Sequence, residues 1–385
     1  MKILMVSKAP LNGLYQKTLE ALARLPEVDL LAVVPPYWNE ERVGVVRLER
    51  RYTEGYRLVA EPMFLNGHHH LHFYPGLWAQ ARRFQPDILH IEEEPYNVVT
   101  LHTSLIGRMV GAKVVFVSWQ NLFRRYPPPF SLFERLNYQI AAAGIAGSQD
   151  AADILRRKGY PRHLEVIPQL GVDPNVFRPR ETESSRELPI IGYAGRLVPE
   201  KGTDLVIDAL AHLTRRAQLH IIGDGTERLA LEQRASSLGI RDRVRFRGNV
   251  SPGEMPKALS ELDILVVPSR TRRNWKEQFG RVIIEAMSCQ VPVVGSDSGE
   301  IPHVIGEGGL IFPEGNVVLL ARRLDELLAS DEKRLEIGRL ARERILTHFT
   351  PERIAERNYA LYQTLLPNGN GTSARRARLA KDTGN

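Results

Sequence analysis

The chain has 385 residues, too many for one ordinary core and suited to two domains of roughly 150–200 residues each. Apolar residues make up 43% and charged residues 25%, as in a globular protein, and no run of about 18 apolar residues argues for a membrane-spanning helix. The net charge of +7 points to an anionic partner without naming it, and a single cysteine, Cys289, excludes a disulfide framework and a thiol-rich metal site.

The opening "MKILMVSKAP" reaches polar residues within a few positions. It reads as a first strand rather than a secretory signal, which leaves the cytoplasm as the expected compartment. Short β-branched runs then alternate with helical patterns. "KILMV", "LLAVV", "DILHI", "KVVFV" and "AAAGIAGS" are the expected strands, and Tyr15, Leu19 and Leu22 mark one face of a helix. Continuous apolar strands alternating with helices mean parallel sheets covered on both faces. Ligands of such sheets bind at the carboxyl ends of the strands, so chemistry is sought there.

In this half the first strand leads into "NGLYQ" (Asn12–Gln16), with one glycine, Gly13. Next, "NGHHHLHFYP" gathers His68, His69, His70 and His72. On a strand, three of these would share a face, but no spaced carboxylate or cysteine completes a zinc site, and a polar lip of a cleft is the preferred reading. "PDILHIEEEPYN" puts His90 and Glu92 to Glu94 at a strand end, where His90 is either a participant in chemistry or a core histidine. "VSWQNLFRRYPPPF" adds Trp119, Gln120, Asn121, Arg124, Arg125 and Tyr126.

The polar, proline-containing stretch 171–188 is the expected linker. Alternation restarts beyond it with "PIIGYAG", "AQLHIIG", "RVRFRG", "DILVVP" and "VPVVGS", so a second parallel sheet is expected. Its first strand ends at Gly195, and Arg196 and Lys201 follow before a helix that begins near Thr203. Two cations beside a helix N-terminus suit a phosphate or diphosphate; alternatively Arg196 pairs with an acid and Lys201 is solvated. Gly223 and Gly225 bracket Asp224 before another helix. Without a third glycine at the dinucleotide spacing they read best as a tight turn.

"KEQFGRVIIEAMS" then places Glu277 on a loop and Glu285 inside the helix that starts near Phe279-Gly280. Eight helical positions would span about 12 Å. That exceeds the ~5–9.5 Å between the paired carboxylates of a glycosidase. Two separate jobs fit better, since each carboxylate can accept two hydroxyls of a vicinal diol, with an anion held between them on the helix amides. Taken singly, each glutamate is equally well an ordinary helix-associated acid. Thr350-Pro351 opens a last helix running to about Leu366, and the basic, Gly/Asn-rich tail 367–385 is expected to be solvated, with possible lipid contact. The sequon Asn370-Gly371-Thr372 lies in that tail.

From Gly192 to Phe312 the order and spacing of "GRLVPEKG", "GDG", "FRGNV", "EQFGRVIIEA", "PVV" and "GGLIFPEGN" resemble the donor domain of retaining glycosyltransferases of family 4, and a weaker likeness covers nearly the whole chain. The resemblance implies an α/β GT-B fold, with two Rossmann-like domains facing a cleft. Residues 1–170 would form the acceptor-binding domain and 189–349 the nucleotide-sugar-binding domain. Helix 350–366 would cross back to the first. It further implies that Arg196 and Lys201 hold a donor diphosphate, that Glu277 binds sugar hydroxyls and Glu285 a ribose, and that Phe279, Gly280 and Arg281 offer backbone amides. Gly195, Gly223, Asn249 and Val250 would complete the donor site. Gly13, Tyr15, Glu92, Trp119, Gln120 and Asn121 would line the acceptor side, and His90 would assist catalysis.

The implied activity is metal-independent, retaining hexosyl transfer from a nucleotide diphosphate sugar to a glycan, lipid-linked or other hydroxyl acceptor. No cofactor and no nucleic acid take part, and the enzyme is cytoplasmic or peripheral at the inner membrane face, where anionic lipid is a further partner. Two departures stand out. Gly13 is alone where the family often has a glycine-rich loop, and Trp119-Gln120 stands where many members carry a histidine. A nucleotide-sugar-binding protein without transfer, or an epimerase of the same fold, are the alternatives.

Overall fold

The computed structural model describes residues 1–40, 44–181 and 187–366. The tail 367–385, its sequon and linker positions 182–186 lie outside the described residues.

The first domain is built on a seven-stranded sheet. In spatial order its strands are Arg57–Ala60, Asp29–Val34, Lys2–Val6, Ile88–Ile91, Lys113–Ser118, Ala143–Ala146 and His163–Val166. Every neighbouring pair is parallel. The second domain repeats the pattern with six parallel strands in the order Val244–Gly248, Gln218–Ile222, Ile190–Ala194, Ile264–Val267, Val293–Ser296 and Gly309–Phe312. In both sheets the chain order reverses between the first and fourth strands. That reversal opens a crevice at their carboxyl ends. A small hairpin, Tyr37–Glu40 with Gly44–Arg47, sits apart from both sheets.

The sheets form where the apolar runs are: Ile3, Leu4 and Val6, or Ile264 to Val266, have no solvent exposure. Burying one such side chain contributes about 1.5–3 kcal/mol, which is why strands flanked by helices on both faces need no polar alternation. The edge strands Arg57–Ala60 and His163–Val166 were absent from the expected set because each carries charged or polar side chains that an edge leaves exposed.

The last helix, Pro351–Leu365, is capped by the Thr350 side chain, which accepts from the Arg353 amide at 3.2 Å. Its apolar face does not stay with the second domain. Ile354, Ala355, Leu361 and Tyr362 are buried in the core of the first domain with Leu19, Leu22 and Val117. The chain thus crosses between the domains twice, and the two sheet crevices are tied face to face.

Candidate functional site

In the second domain the crevice lies between the strand ends at Ala194 and Val267, and Gly195, Arg196 and Ser269 follow those ends. Gly223, at φ +129°, comes so close that a Cβ there would lie 2.0 Å from the Gly195 carbonyl oxygen. Its amide donates to the Gly248 carbonyl at 2.8 Å, which brings the turn carrying Asn249 and Val250 beside the same crevice. Arg196 reaches out to Glu200 at 3.9 Å and keeps 55% of its side chain exposed, so it is available to a ligand anion.

Lys201 and Glu277 meet at the centre. Lys201 Nζ lies 2.6 Å from Glu277 Oε2, which also accepts the Ser269 hydroxyl at 2.9 Å. Glu277 is buried, and the face of Trp275 covers the lysine at 5.0 Å. Gly280, at φ +76°, starts the helix Arg281–Ser288, whose first amides have no intrahelical acceptor and can meet an anion. One turn on, Glu285 is buried and accepts Arg281 Nε at 2.7 Å. Burial pushes its carboxyl pKa up, and Arg281 opposes that rise. The Phe279 ring is 5.9 Å from Phe349 and helps fix the loop. A cation, two carboxylates with spare lone pairs and a helix N-terminus therefore share one crevice. This combination can hold a polyhydroxylated anion from both ends.

On the first domain, the strand end after Ile91 presents three glutamates in three environments. Glu92 accepts the Ser7 hydroxyl at 2.5 Å, and burial raises its pKa against that bond. Burial also works against the Glu93 carboxylate, but Lys8 and His72 prevail and hold its pKa down to about 2. Glu94 accepts the Ser118 hydroxyl at 2.7 Å and the Trp119 amide at 2.8 Å, and burial still pushes its pKa up to about 7. Tyr15 has its pKa raised by burial, and it feels Arg281 of the other domain and Glu92 of its own. Gly13 is buried and its amide is already bonded to Glu49 at 3.0 Å, so this glycine does not present a free donor.

The domains touch through the loops that carry these groups. Asn121 Nδ2 donates to the Lys276 carbonyl at 2.9 Å, Gln278 Nε2 donates to the Trp119 carbonyl at 3.1 Å, and Lys276 pairs with Asp150 at 2.7 Å. The Glu300 carboxylate caps the Gln149 amide across the same gap at 3.2 Å. Between them lies a pocket of about 250 Å³ lined by Glu94, Tyr96, Gln120, Tyr126, Trp275 and Lys276, among others.

His90 is not brought to this pocket. It is buried, its Nδ1 bonds the Tyr362 hydroxyl of the last helix, and burial drives its pKa down to about 3. It borders a separate cavity of about 40 Å³, room for a few waters, where Tyr15 and Glu92 also lie. The histidine-rich stretch is likewise occupied: His72 contacts Glu93, and His70 bonds Asn97 at 2.9 Å. Among the described residues no group of three or more His, Cys, Asp or Glu side chains is arranged to hold a metal ion. Ser269, Trp275, Asp150 and Glu300 escaped the sequence reading. Ser269, two residues past the apolar strand Ile264–Val267, stood where a signal could have been sought.

Residues 177–344 match the family described as Glycosyl transferases group 1, and residues 16–169 match the Glycosyl transferase 4-like domain. The chain is 32% identical over 356 residues to the GDP-mannose-dependent alpha-(1-6)-phosphatidylinositol monomannoside mannosyltransferase of Mycolicibacterium smegmatis, covering 86% of this chain and 89% of that one. It is 32% identical over 296 residues to the alpha-D-kanosaminyltransferase of Streptomyces kanamyceticus, covering 67% of this chain and 75% of that one. Among solved structures, it is similar to Anabaena Alr3699/HepE in complex with UDP, with a TM-score of 0.70 at 19% identity over 94% of this chain and 100% of that one.

Proposed function

Since the chain belongs to the glycosyl transferases group 1 family, with the GT-B fold, and is a glycosyltransferase, we propose that it moves a hexose from a nucleotide diphosphate sugar to a hydroxyl acceptor, with retention at the anomeric carbon. The observation that carries this reading is the Lys201–Glu277–Ser269 cluster at the crevice of the second domain, where Trp275 covers Lys201 and also lines the pocket between the domains. The relatives act in name on different sugars, and one neighbour holds UDP, which supports a nucleotide-bound sugar without choosing its base.

In this reading Lys201, Arg196 and the amides of Gly280 and Arg281 hold the diphosphate. Glu277 takes sugar hydroxyls and Glu285 the ribose diol. The bond from the anomeric carbon to the diphosphate oxygen breaks with its electron pair on the diphosphate. The acceptor oxygen bonds the same carbon from the same face, and its proton passes to the departing phosphate. Fixed positive charge aimed at the developing diphosphate lowers the barrier because it needs no reorganisation as the bond breaks. That charge comes from this chain's own groups, so no divalent metal or cofactor is proposed.

His90, with its nitrogen on Tyr362, is given a packing part, and no protein base is required. The test follows product formation by NMR. The expected product keeps the donor's anomeric configuration, and the rate stays within about two-fold when EDTA is added. An inverted product, or a donor epimerised without transfer, would overturn the reading.

A further inference from the structure

On the basis of that transferase reading, we infer that Glu300 is a positioning residue for Glu277. Its carboxylate holds the N-terminus of a helix in the first domain and its amide holds the Glu277 carbonyl, so it fixes the sugar-binding loop to the opposite domain.

Glu300 stands at the start of the short helix Ile301–Ile305, where a polar side chain would ordinarily cap the helix's own amides. It makes no such bond. Both carboxylate oxygens turn to the other domain instead and accept the Gln149 amide at 3.2 Å, and the Asp150 amide adds to the hold. Gln149 is the first residue of the helix Gln149–Arg157. The first four amides of a helix have no intrahelical acceptor, and the Ser148 hydroxyl takes up the one of Ala151 at 3.2 Å. The carboxylate therefore meets donors that the first domain leaves open, at the positive end of a helix. Glu300 is 6% exposed, so water competes little for these bonds. Bonds from N–H groups to an ionised carboxylate are also roughly twice as strong as neutral ones.

The surrounding charges support the contact. Asp150 brings a second carboxylate beside Glu300 and would repel it, but Lys276 of the second domain pairs with Asp150 at 2.7 Å. His303 lies 3.6 Å from Glu300 with most of its own side chain in solvent.

The connection to the sugar site runs through the backbone. The Glu300 amide donates to the Glu277 carbonyl at 3.3 Å, and Gly299 carries no Cβ to hold the two apart. The neighbours of Glu277 reach the same domain directly: the Lys276 carbonyl accepts from Asn121, and the Gln278 side chain donates to the Trp119 carbonyl. The Glu277 carboxylate itself is bonded within the second domain, to Lys201 and Ser269. Its place relative to the first domain is therefore set through Glu300.

Gln149→Pro tests this from the opposite domain. Proline suits the first position of a helix, so the fold is kept while the amide that Glu300 accepts is removed. Hydrogen exchange on the full chain should then rise at 275–280 and 298–302 in the second domain, as it should in Glu300→Ala. Gln149→Ala keeps the amide and should exchange like the parent there. In transfer assays Glu300→Ala should lower kcat about 10²-fold, the scale of a ~1 Å misplacement, with the Kd of UDP or GDP, which lack the sugar, within about two-fold of the parent. Gln149→Pro should lower kcat about ten-fold, and adding it to Glu300→Ala should cost nothing further, because both act through one contact. Glu300→Gln keeps a neutral acceptor oxygen and should restore most of the rate. Unchanged exchange in Gln149→Pro, losses that multiply in the double variant, or kcat within about two-fold of the parent in Glu300→Ala would each overturn the inference. If the parent neither transfers a sugar nor is stabilised by a nucleotide sugar, the transferase reading falls. The exchange result still decides whether Glu300 ties the Glu277 loop to the first domain.

Discussion

Lys201→Ala is expected to lower kcat about 10³-fold, the scale of losing a principal group that stabilises charge developing in a transition state. The substitution has a second consequence. Glu277 is buried and relies on Lys201 at 2.6 Å and Ser269 at 2.9 Å, so removing the lysine leaves a carboxylate with one hydroxyl for company. The expected stability loss is about 2 kcal/mol. That is less than the ~3–5 kcal/mol of a fully buried broken pair, because the lysine side chain here keeps part of its surface in water. The double variant Lys201→Ala, Glu277→Gln separates the effects. It should recover most of the stability in urea unfolding while the rate stays low, since the missing charge on the diphosphate is not restored. A single variant with kcat within ten-fold of the parent would show that Lys201 is only an ion-pair partner.

Gly299→Ala is the second large effect. Gly299 sits at φ +59°, and a Cβ there would lie 2.1 Å from the Glu277 carbonyl oxygen. The left-handed backbone costs a non-glycine residue about 1 kcal/mol. The collision cannot be relieved by a rotamer change, because the struck atom is backbone. The loop holding Glu277 must shift, and the Glu300 amide, which donates to that same carbonyl at 3.3 Å, shifts with it. A displacement of about 1 Å at a positioned group costs on the order of 10²-fold in rate, and about 3 kcal/mol of stability is expected to go with it. Gly253→Ala is the control, since nothing lies within 4 Å of its Cβ position. Melting temperature and kcat/KM should fall together for Gly299→Ala and stay unchanged for Gly253→Ala.

The two parallel sheets were legible because strands buried on both faces are continuous apolar runs, as in "KVVFVS" and "ILVV". The hairpin at Tyr37–Glu40 and the edge strand His163–Val166 were not, because exposed strands carry charges and lose that signature. Glu277 and Glu285 stood out through their spacing around a helix start. Their partners did not: Ser269 is a lone serine in the sequence, and its bond to Glu277 exists only once two loops meet. The environments of the three consecutive glutamates were also hidden. Glu93 and Glu94 are neighbours in the chain, yet one faces Lys8 and His72 and the other faces Ser118 and a backbone amide. Adjacent side chains at a strand end point apart, so their titration is set by residues far away in sequence.

The central claim is that Glu277 and Glu285 hold opposite ends of a nucleotide sugar. It is tested most directly by thermal stabilisation with UDP-, GDP- and ADP-sugars, in the parent chain and in Glu285→Ala. Ligand at 100 times its Kd adds about 2.7 kcal/mol to a protein that binds it only when folded. The predicted result is a rise in melting temperature with one nucleotide class and loss of that rise in Glu285→Ala. No rise with any of the three, or a rise that Glu285→Ala leaves intact, would contradict it.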